Sequence, residues 1–180
     1  FAELRPVRHE RGHQGHCFQL FDVLGVEKET GQSLQSLRTP CATPTKHFIT
    51  DDAFSTWDFG SRESWVFVCD RATQLLRHRD NHVMLAAKSY GQGRSVYVAG
   101  LPFSLENARL LYRAILWSAR KEAHLRKWFS TNLNVEVAAY PRRKAFAAVN
   151  NTDAVQRTTV FTGKGASLKL TLKPNELRWS

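Results

Sequence analysis

The segment from Tyr90 to Trp117 constrains the fold of this 180-residue chain most, because it predicts a turn, a strand, a loop and a helix in direct succession. Gly91 and Gly93 favour a tight turn, since glycine adopts backbone angles that other residues avoid. The apolar run Val96–Ala99 is typical of a strand inside a sheet, and Gly100-Leu101-Pro102 ends it. This order of signals predicts an α/β architecture for the first part of the chain.

A helix is predicted to begin after Ser104. The Ser104 hydroxyl can accept a hydrogen bond from a backbone N–H of the first turn, and Glu106 lies where the helix dipole favours negative charge. Side chains three and four residues apart share one face of a helix. On that spacing, the predicted buried face consists of Ala108, Leu111, Ile115 and Ala119, and the predicted solvent face of Arg109, Arg113 and Arg120. The helix is expected to end near Lys121.

Several shorter elements are predicted before this helix. Residues 1–16 are rich in His, Arg and Gly without an apolar period, which favours a loop, and the run Phe18–Val26 favours a short helix. Strands are predicted at His47–Thr50, Ser64–Cys69, Val83–Ala87 and Val96–Ala99, the last two joined by a tight turn.

The pattern changes after the helix, where short strand-like runs alternate with turn residues. The runs are Val135–Ala139, Ala145–Val149, Arg157–Phe161 and Ser167–Leu172. In the last run leucines alternate with Lys and Thr, which is the period of an antiparallel strand with one buried face. Arg142-Arg143-Lys144 is typical of a charged hairpin tip. These features predict a small antiparallel β-sandwich, with domains at residues 1–125 and 126–180.

The composition, 42% hydrophobic and 23% charged, is that of a folded globular protein. No apolar run approaches the roughly 18 residues of a membrane-spanning helix, and no signal peptide is evident, so neither a membrane nor export is expected. The net charge of +10 is concentrated in residues 121–180, which carry 11 basic and 4 acidic side chains. Because these are scattered and no nucleic-acid-binding motif accompanies them, no nucleic-acid partner is expected. The initial Phe1 and the single Met84 indicate a fragment of a longer protein.

Metal and nucleotide sites are not favoured. The densest possible metal ligands are His9, His13, His16 and Cys17. Gly12 and Gly15 weaken a helix there, and no second Cys pair completes a zinc pattern. Gly91-Gln92-Gly93 begins like a dinucleotide fingerprint but precedes a strand and lacks the third glycine. A phosphate cradle at Ser104 is opposed by Glu106, so simple capping is the preferred interpretation.

Cys17 is the candidate nucleophile if the chain is an amidotransferase-like hydrolase. Such an elbow needs small residues on both sides of the nucleophile, and Gly15-His16-Cys17-Phe18-Gln19 has glycine on one side only. Cys41 and Cys69, like Cys17, are therefore interpreted as ordinary thiols, and no disulfide framework is predicted.

The chain resembles the C-terminal portion of the galacto-N-biose/lacto-N-biose phosphorylases, glycoside hydrolase family 112. The residues that carry the resemblance are Tyr90–Trp117, Phe18–Val26, Lys127-Trp128-Phe129 and Val149–Asp153. The resemblance runs from about Gly15 to Trp179. It implies the end of a glutamine-amidotransferase-like α/β domain without that fold's chemistry, followed by a C-terminal β-sandwich.

The resemblance also implies a function for the parent protein. That protein would be a cytoplasmic phosphorylase that cleaves a β-1,3-galactosyl-N-acetylhexosamine with inorganic phosphate as co-substrate, giving α-galactose 1-phosphate with inversion. Its general acid and phosphate-binding groups belong to an N-terminal barrel, so no catalytic, cofactor or metal residue is assigned in this chain. A homodimer is expected, and no organic cofactor is implied.

Trp57, Asp58 and Arg62 are the candidate residues for a surface that faces the barrel or forms the rim of the sugar site. They lie in a loop that mixes aromatic side chains, carboxylates and glycine, and sugar rings stack well on tryptophan. Of the other tryptophans, Trp65 and Trp117 are expected in the core. A stand-alone carbohydrate-binding or interaction module is the alternative function.

Overall fold

The computed structural model describes residues 6–8, 14–18, 20–28, 46–51, 57–61, 65–69, 71–80 and 82–180. The chain divides into two compact units, Phe1–Arg120 and Lys121–Ser180. These are called the first unit and the second unit below. The predicted boundary at 125/126 lies five residues beyond this division.

The first unit begins with a strand pair where a loop was predicted. Strands β1 (Pro6–Arg8) and β2 (Gln14–Phe18) are antiparallel, with Pro6 opposite Phe18. The loop prediction for residues 1–16 is therefore wrong at these positions. Two strands can pair through hydrogen bonds between their backbone N–H and C=O groups even where the side chains show no apolar period.

The short helix predicted at Phe18–Val26 is confirmed only for its centre. Helix α1 (Phe21–Leu24) is a single turn, and Gly25 ends it in the left-handed conformation with φ 69°. Strand β3 (Val26–Lys28) follows at once and pairs antiparallel with β4 (Val66–Val68), placing Val26 opposite Val68. The strand predicted at Ser64–Cys69 is thus present in shorter form.

The centre of the first unit is an antiparallel sheet of three strands, β5 (Gln74–Arg79), β6 (His82–Tyr90) and β7 (Gly93–Val98), in that order. The tight turn after Tyr90 is confirmed, and Gly91 has φ 54° there. Strand β6 is buried from Val83 to Lys88, because core side chains cover both faces of the sheet. One cluster, including Leu76, Met84, Leu110 and Trp117, packs on one side, and another, including Val26, Val66, Val83 and Tyr97, packs on the other.

Helix α2 (Leu105–Ser118) begins as predicted, with Ser104 Oγ accepting from Asn107 N–H at 3.1 Å. Its predicted orientation is wrong. The buried side chains are Asn107, Leu110, Arg113, Ala114, Leu116 and Trp117, whereas Ala108, Leu111 and Ile115 are exposed. Arg113 was predicted to face solvent, but its Nε donates to Phe48 O at 2.7 Å and its guanidinium lies 4.5 Å from the Phe48 ring centroid. The carbonyl oxygen and the ring of Phe48 therefore stabilise the buried guanidinium of Arg113, which helical periodicity alone would have placed in water.

The strand predicted at His47–Thr50 is also wrong, since Phe48–Thr50 forms one turn of 3-10 helix. His47 Nδ1 accepts from Ile49 N–H at 3.2 Å, and Thr50 Oγ1 donates to His47 O at 3.2 Å. Local bonds of this kind compete with strand pairing, and here they fold the segment back on itself.

The second unit consists of two antiparallel sheets of three strands each, with strand orders β13-β10-β9 and β12-β11-β8. The strands are β8 (Phe129–Ser130), β9 (Val135–Tyr140), β10 (Ala145–Asn150), β11 (Gln156–Phe161), β12 (Ser167–Leu172) and β13 (Leu177–Trp179). All four predicted runs are confirmed to within one residue. Side chains from both sheets, including Val135, Phe146, Val160 and Leu172, share one core.

The charged hairpin tip is confirmed. Pro141–Arg143 forms a 3-10 turn between β9 and β10, and Lys144 adopts the left-handed conformation with φ 51°. Asn150, buried at the end of β10, donates to Ala154 O and Lys173 O at 2.8 Å each. This one amide ties together two turns of the second unit.

Candidate functional site

The candidate site lies where two loops of the first unit meet, residues 57–61 and residues 100–104. These two segments are called the loop pair below. Their meeting point is fixed by Asn107 of α2, whose Nδ2 donates to Asp58 O and to Pro102 O at 2.7 Å each. Asn107 Oδ1 accepts from Asp58 N–H at 3.2 Å. A single buried amide thus satisfies backbone groups of both loops and holds them in register.

The two loops approach each other closely. A Cβ on Gly100 would lie 2.5 Å from Phe59 O, so only glycine permits this distance between the backbones. Gly60 has φ 77°, and its would-be Cβ points toward Pro102 Cγ at 3.7 Å. The glycines of the loop pair are therefore required by packing and by backbone conformation.

Trp57 is half-buried, and its ring packs against the cluster that contains Phe59 and Leu76. The Arg77 guanidinium carbon lies 4.7 Å from the Trp57 ring centroid, a cation–π arrangement. Burial lowers the pKa of Arg77, whose Nη1 also donates to Leu76 O at 2.7 Å. The Trp57 ring thus packs against the core of the first unit, with a cation on one side.

Asp58 is exposed and is the only acidic residue within the loop pair. Its Oδ1 accepts from Gly60 N–H at 2.7 Å, which closes a small turn, and Arg79 Nη1 donates to Gly60 O at 2.8 Å. The carboxylate therefore stabilises the loop by closing this turn. Arg62, the third candidate residue, lies outside the described residues.

Phe103 is the feature of the loop pair that sequence reasoning missed. It stands directly before the helix cap Ser104, and 93% of its surface is exposed. An apolar ring in water is unusual for a residue whose backbone is fixed on both sides. Such a ring is suited to contact with another molecule or domain.

The loop pair does not contain the two carboxylates that glycoside hydrolysis uses. Its one carboxylate, that of Asp58, accepts a hydrogen bond within a turn.

The other sequence candidates are accounted for by structure. The Ser104 hydroxyl caps α2, as the preferred interpretation held, and Gly91 and Gly93 belong to a hairpin turn. Cys17 lies within strand β2, one residue before its end, whereas an elbow nucleophile would sit on the turn itself. Cys69 is exposed, and its thiol donates to Phe21 O at 3.9 Å.

The parts of the chain that the structure describes contain neither a cluster of metal ligands nor a helix suited to span a membrane. In those ranges no three His, Cys, Asp or Glu residues come together as metal ligands. His9, His13 and Cys41 lie outside the described residues. None of the described helices combines the length and the apolar character needed to cross a membrane.

One of the two tryptophans expected in the core is exposed. Trp65 was expected in the core but is exposed, lies before β4 with φ 47°, and stacks on His82 at 4.8 Å between ring centroids. Trp117 is buried as expected. In the second unit, Trp179 is exposed and its ring centroid lies 5.2 Å from that of Tyr140. Exposure of Trp179 follows from strand alternation, which the short run before the C-terminus did not reveal.

Together, these observations define a β-rich chain of two units, in whose first unit Asn107 joins the two segments of the loop pair. The chain belongs to the lacto-N-biose phosphorylase family. The family's central-domain model matches residues 7–123, and its C-terminal-domain model matches residues 128–180. The boundary predicted at 125/126 lies between the two matches.

Curated relatives of this family are similar over almost the whole chain. A 1,3-beta-galactosyl-N-acetylhexosamine phosphorylase of Lachnoclostridium phytofermentans is 42% identical over 97% of this chain, and the match covers 24% of that protein. The corresponding phosphorylase of Bifidobacterium longum subsp. longum is 31% identical over 97% of the chain and 27% of that protein. A D-galactosyl-beta-1->4-L-rhamnose phosphorylase of L. phytofermentans is 22% identical over 79% of the chain and 19% of that protein. The chain thus spans about a quarter of the length of its nearer relatives.

Proposed function

We propose that this chain is the non-catalytic C-terminal part of a phosphorylase that reversibly cleaves β-1,3-galactosyl-N-acetylhexosamines with phosphate. The products would be α-galactose 1-phosphate and the free N-acetylhexosamine. The observation that carries the proposal is that the two matched family domains are the central and the C-terminal one, while the match covers 24% of a relative with that activity. The remaining length of such relatives holds the catalytic barrel in this proposal.

The site geometry supports a supporting role for this chain. In the loop pair, Asp58 is the only carboxylate, and it is committed to a turn with Gly60. Inversion by phosphorolysis needs one general acid and a bound phosphate, and we assign both to the preceding barrel. Phosphate is then a co-substrate of the whole protein, no organic cofactor takes part, and the assembly is a cytoplasmic homodimer.

The finer fold assignments belong to the same proposal. We infer that the first unit is the end of a glutamine-amidotransferase-like domain and that the second unit is a β-sandwich. The shared core of the two three-stranded sheets supports the second inference. Placement of Cys17 inside a strand agrees with an amidotransferase-like domain that has no amidotransferase nucleophile.

In this proposal Trp57, Asp58 and Arg62 form part of the surface that faces the barrel. Asn107 binds the backbone of Asp58, and the Arg77 guanidinium lies over the Trp57 ring, and these contacts support a loop with a defined position at a domain contact. A rigid contact surface lowers the entropy lost on docking, which favours a fixed domain arrangement.

Phosphorolysis of lacto-N-biose and galacto-N-biose, followed by galactose 1-phosphate release, tests the proposal. We expect activity in the full-length protein and none in the 180-residue chain. Trp57→Ala in the full-length protein should lower kcat/KM about tenfold or more, whereas the control Trp65→Ala, which removes an exposed ring elsewhere, should change it less than twofold. Thermal unfolding of both variants separates loss of contact from loss of folded protein. Phosphorolysis by the 180-residue chain alone would refute the proposal.

A carbohydrate-binding module is the second candidate, and one observation favours it. Tyr140 of β9 and Trp179 of β13 form an exposed aromatic pair on the sheet β13-β10-β9, and Ala147 of the middle strand β10 lies opposite Trp179. Exposed aromatic rings can stack on sugar rings. Titration of the 180-residue chain with lacto-N-biose, monitored by tryptophan fluorescence, tests it. Saturable binding that is lost in Trp179→Ala would support the module, and no binding at millimolar sugar would exclude it.

A further inference from the structure

The most exposed side chains of helix α2 are all apolar or aromatic. Every residue of the helix that is exposed is apolar or aromatic, and together they form what is called the α2 stripe: Leu105, Ala108, Leu111, Tyr112 and Ile115. At 3.6 residues per turn these positions cover one continuous arc of about 120° along the whole helix. The stripe is therefore a surface feature, since scattered exposed apolar residues would not form one arc.

The charged residues of α2 are distributed in the opposite way. Arg113 is buried, and Glu106 and Arg109 are half-buried. A helix on the surface of a globular protein normally turns its charged side chains to water and its apolar stripe to the core. Here the core side of α2 is already filled by Leu110, Ala114 and Trp117. The helix thus has two apolar faces, of which the described residues of the first unit cover one.

The α2 stripe is too small to hold a second copy of the chain by itself. A helix of 14 residues is about 21 Å long and about 10 Å wide, so its face offers about 200 Å². Stable interfaces between separate proteins bury about 800 Å² on each partner. A contact of this size is sufficient between parts of one polypeptide, because the covalent link supplies a high effective concentration.

The relatives are much longer than this chain, and their unmatched part can cover the α2 stripe. The match of this chain covers 24% of one relative and 27% of another, and the matched domains are central and C-terminal by description. About three quarters of such a protein therefore lies outside the matched region. Phe103, 93% exposed and adjoining the start of the stripe, extends the apolar surface toward the loop pair.

We propose that the α2 stripe and Phe103 form the docking surface on which the N-terminal region of the full-length phosphorylase packs. The inference rests on the proposed function, because it takes the chain to be part of that longer protein. The inference goes beyond the proposed function by naming the contact face on helix α2, which contains none of the predicted rim residues Trp57, Asp58 and Arg62.

Thiol labelling tests the docking surface directly. Ile115 and Val155 are matched aliphatic residues, 55% and 58% exposed, and Val155 lies on a turn of the second unit. Ile115→Cys and Val155→Cys are each made in a background in which Cys17, Cys41 and Cys69 are serine, both in the full-length protein and in the 180-residue chain. In the 180-residue chain the two thiols should react with iodoacetamide at rates within about threefold of each other. In the full-length protein, the thiol at 115 should react at least tenfold more slowly than the thiol at 155.

Two results would overturn the inference. Equal labelling rates in the full-length protein would mean that the stripe stays uncovered there. Protection of position 115 in the 180-residue chain, increasing with protein concentration, would make a second copy the occupant. Labelling does not depend on catalysis, and the phosphorolysis assay on the same full-length protein reports separately on the proposed function. If position 115 is labelled rapidly in a full-length protein that is active in phosphorolysis, only the docking inference is refuted. If position 115 is protected in a full-length protein that has no phosphorolysis activity, only the proposed function is refuted.

Discussion

Asn107→Ala should destabilise the first unit by releasing the loop pair from helix α2. Asn107 is 1% exposed, and its side chain makes three hydrogen bonds with backbone groups of Asp58 and Pro102. Alanine keeps the helix, because alanine has the highest helix propensity, and keeps the Ser104 cap, because that bond uses the backbone N–H of residue 107. The substitution therefore removes the link between the loops and little else.

The expected magnitude follows from the three lost bonds. A buried hydrogen bond contributes about 1 kcal/mol net to stability, so the loss is about 3 kcal/mol. Asp58 is exposed, so water can reach its backbone groups after the substitution and limit any further penalty. With a urea m-value of about 2 kcal/mol/M, the unfolding midpoint should fall by about 1.5 M.

Urea unfolding and amide hydrogen exchange together measure this effect. The amide of Asp58 should exchange at least tenfold faster in Asn107→Ala, because its acceptor is gone. The matched control is Asn151→Ala at an exposed asparagine, which should change stability by less than about 0.5 kcal/mol. A loss below about 1 kcal/mol, or unchanged exchange at residues 57–61, would refute the reasoning that Asn107 holds the loops.

Two further predictions concern ionisation. Glu176 accepts hydrogen bonds from Lys173 N–H (2.6 Å) and from the Arg178 side chain (2.6 Å and 3.0 Å), and these hold its pKa below the usual 4.5. The ionised carboxylate therefore stabilises the folded state above pH 4.5, and this stabilisation is lost as the pH falls and the carboxylate is protonated. Glu176→Gln should therefore lower the thermal midpoint at pH 7 and have no effect well below pH 4; an equal loss at both pH values would contradict this assignment. Burial raises the pKa of Tyr97 to about 12, so the neutral phenol favours the folded state and this contribution is lost between about pH 10 and 12. Absorbance at 295 nm should show a late-titrating tyrosine that disappears in Tyr97→Phe, and identical titration curves for the two proteins would count against burial as the cause.

The second unit was predictable from sequence because its signals are local. The alternation of Ser167–Leu172 and the charged tip at Arg142–Lys144 each depend on a few neighbouring residues, and their strands and turn are present. Helix α2 was predictable in position for the same reason, with a cap at Ser104. Local chemistry thus gave the elements and their order.

The orientation of α2 and the environment of Trp57 were not predictable, because distant residues decide them. The helix has two apolar faces, and periodicity cannot choose between them. The choice is made by Arg113 binding Phe48 O and by Asn107 binding Asp58, contacts between residues 65 and 49 positions apart. The Trp57 ring in its loop contacts Arg77 of strand β5, which is twenty positions away in the sequence. The amidotransferase-like assignment, the role of Trp57, Asp58 and Arg62, and the dimer remain predictions.

The strand order of the second unit determines when that unit can fold during synthesis. Strand β13 pairs with β10, so that Ala147 lies opposite Trp179, a separation of about thirty residues that must be closed before the sheet is complete. Until Leu177–Trp179 has left the ribosome, one edge of β10 is unpaired and open to pairing with another chain. A nascent chain stalled before Leu177, or a truncation that removes β13, should therefore aggregate through this edge even though 176 residues of the sequence are intact.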